Sequence, residues 1–337
     1  MIPHNKPTLG FAEQAAAARV LGTGWVAQGV EVEAFEQELC NFFGLPEGHA
    51  VVVSSGSSAL YLALWALNGH GAQVGMPVYS CTALRNAGSL VGAQNIYFEC
   101  ALRGANLDFD QVSRSNIDIL IAPSMYGIPL NLPRTRSYQV VEDLAQSMGA
   151  TVGGKRIGLR GDLGICSFYA TKMITSGGQG GAVIGCDKAL IDKIRDFREF
   201  DCRDDAQQRF NFQMTDLQAA VGRVQLSRLP EFIETRERWF ELYRQAGLEL
   251  IDDPTTGVQP VRYRIVMRCD QPSRVISALE AQGIRAIVPI EEFELLDTPS
   301  EYPNARALTH STVSLPAYPG LQEIDVMRIA QIAKAAA

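Results

Sequence analysis

A serine-rich segment, Ser54–Ser58, joins a short β-branched run to an apolar helix-like stretch. Free backbone N–H groups at a helix N-terminus attract anions, and serine hydroxyls add further donors. Gly56 lets a phosphate approach the backbone closely, because it carries no Cβ. The segment therefore predicts a phosphate site. An ordinary helix N-cap is the alternative, since serine is a preferred cap.

Two acids, Glu142 and Asp143, follow the apolar residues Val140 and Val141. Open α/β sheets bind their ligands where buried strands end. A carboxylate at that place can pair with a cationic ring nitrogen. The alternative is a loop acid or a helix cap.

Lys172 lies between the apolar residues of SFYAT and the glycine-rich turn SGGQGG. Burial lowers the pKa of a lysine and makes its neutral amine available as a nucleophile. A surface lysine at a strand end is the alternative. Taken together, a phosphate cup, a carboxylate for a ring nitrogen and a Schiff-base lysine describe a pyridoxal 5'-phosphate (PLP) site.

Short buried runs alternate with helix-like segments through the first half of the chain, which predicts an α/β fold with a mostly parallel sheet. The predicted strands are His49–Ser54, Val74–Val78, Gln94–Phe98, Asp118–Ala122 and Gln139–Glu142, followed by two more strands within residues 162–186. The spacing of apolar residues predicts a helix from Thr215 to Leu229. Pro230 is expected to interrupt it, with a second helix running to Gln245.

A turn-rich stretch, Gly247–Gly257, suggests a division into two domains. Residues 1–246 would form a large PLP-binding domain, and the first 25 residues or so could pack with the second domain. Residues 247–337 would form a small C-terminal α+β domain. Its predicted elements are a strand at Val261–Arg268, a helix at Ser273–Gln282, a strand at Arg285–Pro289 and a final helix.

The composition excludes several classes of protein. The 337 residues carry 37 acidic and 30 basic side chains, and the net charge of -7 without basic clusters argues against nucleic-acid binding. The absence of a long apolar run and of a signal-like N-terminus predicts a cytoplasmic protein without a membrane segment. The seven cysteines are scattered and predict free thiols. No histidine or cysteine spacing indicates a metal site.

Six ordered segments resemble the DegT/DnrJ/EryC1/StrS family of PLP-dependent sugar aminotransferases. The resemblance runs over nearly the whole chain and implies an aspartate aminotransferase-like fold, fold type I. The segments are GWVAQG at 24–29 with Phe35 and Glu36, SSGSSAL at 54–60, EDLAQSMGA at 142–150, GDLGICSFYATKMITSGGQGGAV at 161–183, FNFQMTDLQAAVGRVQL at 210–226 and LPAYPGL at 315–321.

The resemblance also implies roles for individual residues. Lys172 would form the Schiff base and shuttle protons at the substrate carbon, and Asp143 would keep the pyridine nitrogen protonated. Gln146 would lie beside the cofactor ring or its hydroxyl. The residues implied at the phosphate are Gly56, Ser57, Ser58 and Ser167. Asn211 would reach the phosphate of a neighbouring subunit, which implies a homodimer with shared active sites.

Some positions depart from the family pattern. The segment that normally stacks an aromatic ring on the cofactor contains Tyr79 and Cys81, so either residue could cover the ring. Gln213 replaces the usual Arg, and Met125 replaces a frequent His. Arg203 and Arg209 are candidates for binding a donor carboxylate or a nucleotide phosphate.

The implied activity is transfer of an amino group from L-glutamate or glutamine to a keto sugar, typically nucleotide-linked, for an amino sugar of lipopolysaccharide, another surface glycan or an antibiotic. A non-nucleotide keto-cyclitol or keto-acid sugar is the main alternative acceptor. A PLP-dependent sugar dehydratase is disfavoured, because such relatives carry His in place of Lys172. A non-catalytic protein of the same fold is disfavoured by the presence of Lys172, Asp143 and Ser167.

Overall fold

The computed structural model describes residues 1–102 and 104–337. Its helices are α1 (Phe11–Thr23), α2 (Val30–Phe43), α3 (Gly56–Ala66), α4 (Thr82–Val91), α5 (Phe109–Val112), α6 (Lys188–Arg198), α7 (Asp216–Gln245), α8 (Pro272–Glu280), α9 (Pro303–Ser311) and α10 (Glu323–Ala336). Its strands are β1 (Ala50–Val53), β2 (Gln73–Pro77), β3 (Gln94–Phe98), β4 (Ile119–Pro123), β5 (Gln139–Asp143), β6 (Thr151–Val152), β7 (Lys155–Arg156), β8 (Leu163–Ser167), β9 (Gly181–Ile184), β10 (Val258–Gln259), β11 (Ile265–Arg268) and β12 (Thr312–Leu315). Within the described residues, no helix has the length and apolar character needed to cross a lipid bilayer.

A seven-stranded sheet in the order β1-β9-β8-β5-β4-β2-β3 forms the centre of the molecule. The five neighbouring strands from β8 to β3 are parallel, and β9 runs antiparallel to both of its neighbours. The predicted mostly parallel sheet is therefore confirmed. Because their directions agree, β2, β4, β5 and β8 end at one edge of the sheet.

Both faces of this sheet are covered, so β1, β4 and β9 are apolar and buried along their whole length. In β1, Val51 and Val53 pack into the core on one face, whereas Ala50 and Val52 pack into the core on the other. The alternation follows from the two-residue period of a strand. It explains why the sequence shows continuous apolar runs and no polar alternation.

Helix α7 is continuous from Asp216 to Gln245, so the predicted interruption at Pro230 is wrong. A proline within a helix costs about 3 kcal/mol. The residues beyond it offset this cost, because Trp239, Phe240 and Tyr243 are buried in a core with C-terminal segments. Burial of each such side chain contributes about 1.5–3 kcal/mol.

The C-terminal segments form a smaller core around the antiparallel pair β11–β12, covered by α8 and α10. The predicted strand at Arg285–Pro289 is absent from the described structure, where a single bridge joins Ile287 to Ser314. The chain is held there by its contacts with β12 and with the N-terminus, since Ile2 forms a bridge with Ile284. All seven cysteines are free.

Candidate active site

A cavity of about 350 Å³ lies at the edge where the parallel strands end. Pro123, Asp143 and Ser167 are the last residues of β4, β5 and β8, and all three line it. Ligands of open α/β sheets bind at this edge, because loops and helix N-termini converge there. The first turn of α3, the β8–β9 connection and the segment before β11 complete the wall.

Lys172 lies in the β8–β9 connection, where its N–H donates to the carbonyl of Tyr169 at 2.9 Å. The turn is anchored because Phe168, four residues before Lys172, and Met173, directly after it, are buried in the core. Lys172 itself is half-buried and lines the cavity, with Nζ 5.3 Å from the ring centroid of Tyr263. The fold therefore presents one amine to the ligand space.

The positive charge of the cavity acts on Tyr263. Burial alone would raise the pKa of its phenol, but the charges of Lys172 and Arg264 outweigh burial and hold that pKa below its usual value. The cavity wall therefore favours negative charge on this side.

Asp143 ends β5 and is 6% exposed. Its Oδ1 accepts a hydrogen bond from the N–H of Ala145 at 2.8 Å. Burial raises the pKa of this carboxyl, while the Ala145 N–H and the charge of Lys172 act in the opposite direction. A cation placed beside Asp143 would compensate for the desolvation of its charged form.

The first turn of α3 forms an anion cradle. Ser55 is the N-cap, and its Oγ accepts from the N–H of Ser58 at 3.0 Å. The N–H groups of Gly56 and Ser57 have no acceptor within the helix, because they belong to its first turn. A Cβ on Gly56 would stand 2.7 Å from Cβ and 2.8 Å from Oγ of Ser167, so glycine is what lets the helix approach Ser167.

Most of the predicted site residues come together around this cavity. Those that line it are Gly56, Ser57, Cys81, Asp143, Gln146, Ser167 and Lys172. Gln146 also holds the neighbouring loop, since its Oε1 accepts from the N–H of Tyr126 at 2.8 Å.

Three predicted residues lie outside the cavity lining. The Oγ of Ser58 is hydrogen-bonded to the Oγ of Ser55 at 2.8 Å, within the cap of α3. Tyr79 is fully buried, and its hydroxyl is 2.5 Å from that of Tyr126. Asn211 is exposed, and its Oδ1 accepts from the N–H of Gln213 at 3.1 Å. Of the two residues considered for covering the ring, Cys81 is the one in the cavity wall.

Neither arginine named from the sequence as an anion site lines the cavity. The guanidinium of Arg209 is bound by Asp196 at 2.9 Å and by Asp205 at 2.7 Å. Arg203 also pairs with Asp196. Their charges are therefore balanced by acids of their own segment.

Two residues that the sequence analysis missed, Tyr263 and Arg264, also line the cavity. They precede β11 and reach the cavity only through folding. The available signal was Arg264 itself, an arginine directly before the apolar run Ile265–Met267.

The residues present fit pyridoxal phosphate. The cofactor needs an anion site for its phosphate, a carboxylate for its ring nitrogen and a lysine amine for its aldehyde carbon. The cradle that a Cβ at Gly56 would fill, the buried Asp143 and the amine of Lys172 are these groups, and all of them border one cavity.

Comparison with known proteins agrees with this geometry. Residues 7–334 match the DegT/DnrJ/EryC1/StrS aminotransferase family. A GDP-perosamine synthase from Vibrio cholerae is 28% identical, over 99% of this chain and 98% of its own. A dTDP-3-amino-3,4,6-trideoxy-alpha-D-glucose transaminase from Streptomyces venezuelae is 30% identical, over 94% of this chain and 89% of its own. The crystal structure of the aminotransferase TlmJ from Streptoalloteichus hindustanus superposes with a TM-score of 0.93 at 26% identity, over 100% of this chain and 98% of that one. The chain belongs to the DegT/DnrJ/EryC1/StrS aminotransferase family and is a pyridoxal phosphate-dependent aminotransferase of fold type I.

Proposed function

We propose that the chain moves an amino group from L-glutamate or L-glutamine to a nucleotide-linked keto sugar, in the synthesis of an amino sugar for a surface glycan or an antibiotic. The observation that carries the proposal is the cavity that Lys172, Asp143 and the first turn of α3 share. The relatives support the acceptor class, because their names specify a GDP-linked and a dTDP-linked amino sugar.

Each cavity residue has one task in this proposal. Pyridoxal phosphate, when bound, supplies an aldehyde carbon that carries the amino group and a ring that accepts electrons. The first turn of α3, with Gly56 and Ser57, binds the phosphate together with the hydroxyl of Ser167. Asp143 holds a proton at the ring nitrogen, and the buried position of its carboxylate strengthens that pairing.

Nζ of Lys172 would take the proton from the substrate carbon and return it two bonds away, on the other side of the nitrogen that is transferred. Its position suits this task, because the amine reaches the cavity from a turn anchored in the core. Gln146 orients the ligand from the β5 side and also fixes the backbone of Tyr126.

We further propose that two copies of the chain share their active sites. Tyr169 lines the cavity and is 46% exposed, and Phe210, next to Asn211, is 65% exposed. Large exposed aromatic side chains are typical of a surface covered by a partner. Asn211 would then reach the phosphate site of the other copy.

Subunit mixing tests the shared site. Lys172→Ala and Asn211→Ala should each have little activity at limiting PLP, whereas a refolded mixture should recover about a quarter of wild-type activity, since half of the pairs are mixed and each carries one intact site. A mixture that stays as inactive as its components would refute sharing through Asn211.

The activity is tested in three steps on separate samples of one preparation, since a borohydride-reduced sample can no longer react. After reduction with borohydride, the PLP-loaded protein should carry the cofactor covalently on Lys172, which peptide mass spectrometry can locate. Lys172→Ala should carry no such adduct. L-glutamate or L-glutamine should then convert the cofactor's visible absorbance to that of the amine form. No conversion with any amino donor would refute transamination, and an adduct at another lysine would refute the site.

The third step identifies the acceptor. Keto sugars linked to GDP, UDP or dTDP are offered to the amine form, beside the same keto sugars without a nucleotide. Return of the original absorbance with nucleotide-linked sugars alone supports the proposal. Equal rates with the free sugars would favour a non-nucleotide acceptor.

A further inference from the structure

We infer that Arg264 binds the carboxylate of the amino donor, an α-amino acid, at the cavity wall contributed by the segment before β11. The inference rests on the proposed function, because it assigns a residue to the donor half of that reaction. It replaces Arg203 and Arg209, whose guanidinium groups are bound by acids outside the cavity.

Arg264 lines the cavity, and its Nη1 is buried without a hydrogen-bond partner. In the part of the chain that the structure describes, no carboxylate forms a salt bridge with it. The nearby Arg262 differs, because Glu237 binds it at 2.9 Å and Asp252 also pairs with it. A buried guanidinium nitrogen without a partner is costly, so a ligand that supplies an acceptor binds with an advantage.

The backbone that carries Arg264 is held in place before any ligand arrives. Its N–H donates to the carbonyl of Tyr126 at 3.2 Å, and the N–H of Val261 donates to the carbonyl of Gly127 at 3.0 Å. Tyr126 has a φ of 61°, a conformation that a bulky residue adopts only when its surroundings impose it. A Cβ on Gly127 would stand 2.8 Å from the backbone nitrogen of Tyr263, so the two segments are in close contact. The guanidinium therefore extends from a rigid base.

The surroundings of Arg264 carry a positive potential. Burial, followed by the charges of Arg264, Arg285 and Arg236, lowers the pKa of His4 to about 3, so this histidine is neutral at neutral pH. Asp143 is the one acid in the described cavity lining, and it belongs to β5 and not to the segment that carries Arg264. An anion beside Arg264 would thus meet attraction without a competing carboxylate.

The chemistry of the substrates favours a carboxylate over a phosphate at this place. Nζ of Lys172 and Cζ of Arg264 lie 5.3 Å and 5.8 Å from the centroid of the same Tyr263 ring. In an α-amino acid the carboxylate is attached to the carbon that bears the amine. In a nucleotide-linked sugar the phosphates are several bonds from the keto carbon. A cation that shares a ring contact with the reacting amine suits the amino acid, and the planar guanidinium can bind a carboxylate with two parallel hydrogen bonds.

The test compares three variants of the PLP-loaded protein: Arg264→Gln, Arg264→Lys and Arg285→Gln. Arg285 is the matched control, since it is exposed, acts on the same His4 and does not line the cavity. Two quantities are measured without an acceptor sugar. One is the L-glutamate concentration at which the rate of cofactor conversion reaches half its maximum, and the other is the dissociation constant for glutarate, measured from its perturbation of the cofactor absorbance.

Arg264→Gln should raise both quantities by about 10- to 100-fold, the loss expected for a hydrogen bond between charged partners. Arg264→Lys should lie between this variant and the wild type, because lysine keeps the charge but not the two-pronged geometry. Arg285→Gln should match the wild type. The dissociation constant for PLP and the KM for the keto sugar should stay unchanged in all three.

Several results would overturn the inference. A rise in the PLP dissociation constant of Arg264→Gln would assign Arg264 to the cofactor phosphate, and a rise confined to the keto-sugar KM would assign it to the acceptor. Equal behaviour of Arg264→Gln and Arg285→Gln, or a wild type that does not respond to glutarate, would also count against it. Failure of the proposed function looks different, since the wild type itself would then respond to no amino donor.

Discussion

The contact between Gly56 and Ser167 allows a sharp test of the phosphate cradle. Gly56→Ala would place a Cβ 2.7 Å from Cβ and 2.8 Å from Oγ of Ser167. Carbon atoms pack best at about 3.5–4.0 Å, so α3 and β8 must separate by about 1 Å. Overpacking of this kind costs about 1–3 kcal/mol of unfolding free energy. The same displacement exceeds the tolerance of about 0.5 Å within which a binding site works.

We therefore expect two measurable losses in Gly56→Ala. Urea denaturation of the PLP-free protein should show a fall in unfolding free energy of about 1–3 kcal/mol. The dissociation constant for PLP should rise about tenfold or more, which corresponds to about 1.4 kcal/mol of lost binding. Gly22→Ala is the matched control, because a Cβ on this residue of α1 meets nothing within 4 Å. It should stabilise the protein by about 0.5–1 kcal/mol and leave PLP binding unchanged.

A double variant separates packing from binding. Ser167→Gly removes Cβ and Oγ, which leaves Cα of residue 167, at 3.3 Å, as the nearest atom to the new methyl group at position 56. In that background, Gly56→Ala should cost less than about 0.5 kcal/mol of unfolding free energy. PLP affinity should not recover, since the Ser167 hydroxyl is gone. The reasoning fails if Gly56→Ala behaves like Gly22→Ala in both assays.

Two further predictions concern buried charges. Asp143→Asn should make the PLP-free protein more stable than the wild type at pH 7, because burial raises the pKa of Asp143 and the native state carries an ionised group that it disfavours. This cost appears as pH rises from the unfolded pKa of 3.8 to the raised native pKa. In urea denaturation, the difference in unfolding free energy between Asp143→Asn and the wild type should therefore shrink towards pH 4. A difference that does not change with pH would contradict the argument. Glu36→Gln should lower the unfolding free energy by about 3–5 kcal/mol, since Glu36 pairs with the buried Arg198 at 2.5 Å and accepts from the N–H of Val52 at 3.0 Å. Asp192→Asn, which breaks an exposed pair, should change it by at most about 1 kcal/mol, and equal effects in urea denaturation would argue against the buried network.

Much of the site is readable from the sequence because its parts are local. A buried strand followed by a serine-capped helix places the N–H groups of Gly56 and Ser57 at the sheet edge, whatever the rest of the chain does. Asp143 and Ser167 end parallel strands, so their meeting follows from the sheet pattern. Lys172 is confined by the apolar residues on both sides of it. The order of the strands in the sheet could not be predicted, because a short apolar run does not specify which strands lie next to it.

The cavity wall contributed by the segment before β11 is a property of the tertiary structure alone. Arg264 and Tyr263 lie about ninety residues beyond Lys172 in the chain, and contacts of their segment with Tyr126 and Gly127 bring them to it. No local sequence pattern predicts these contacts. The same holds for Arg209, which looked free in the sequence and is bound by Asp196, and for Tyr79, whose hydroxyl is bound to Tyr126. Helix α7 stays continuous at Pro230 because distant apolar partners offset the local cost. Caps and strand ends depend on neighbours in the chain, whereas the partner of a charge or a ring depends on which segments the fold brings together.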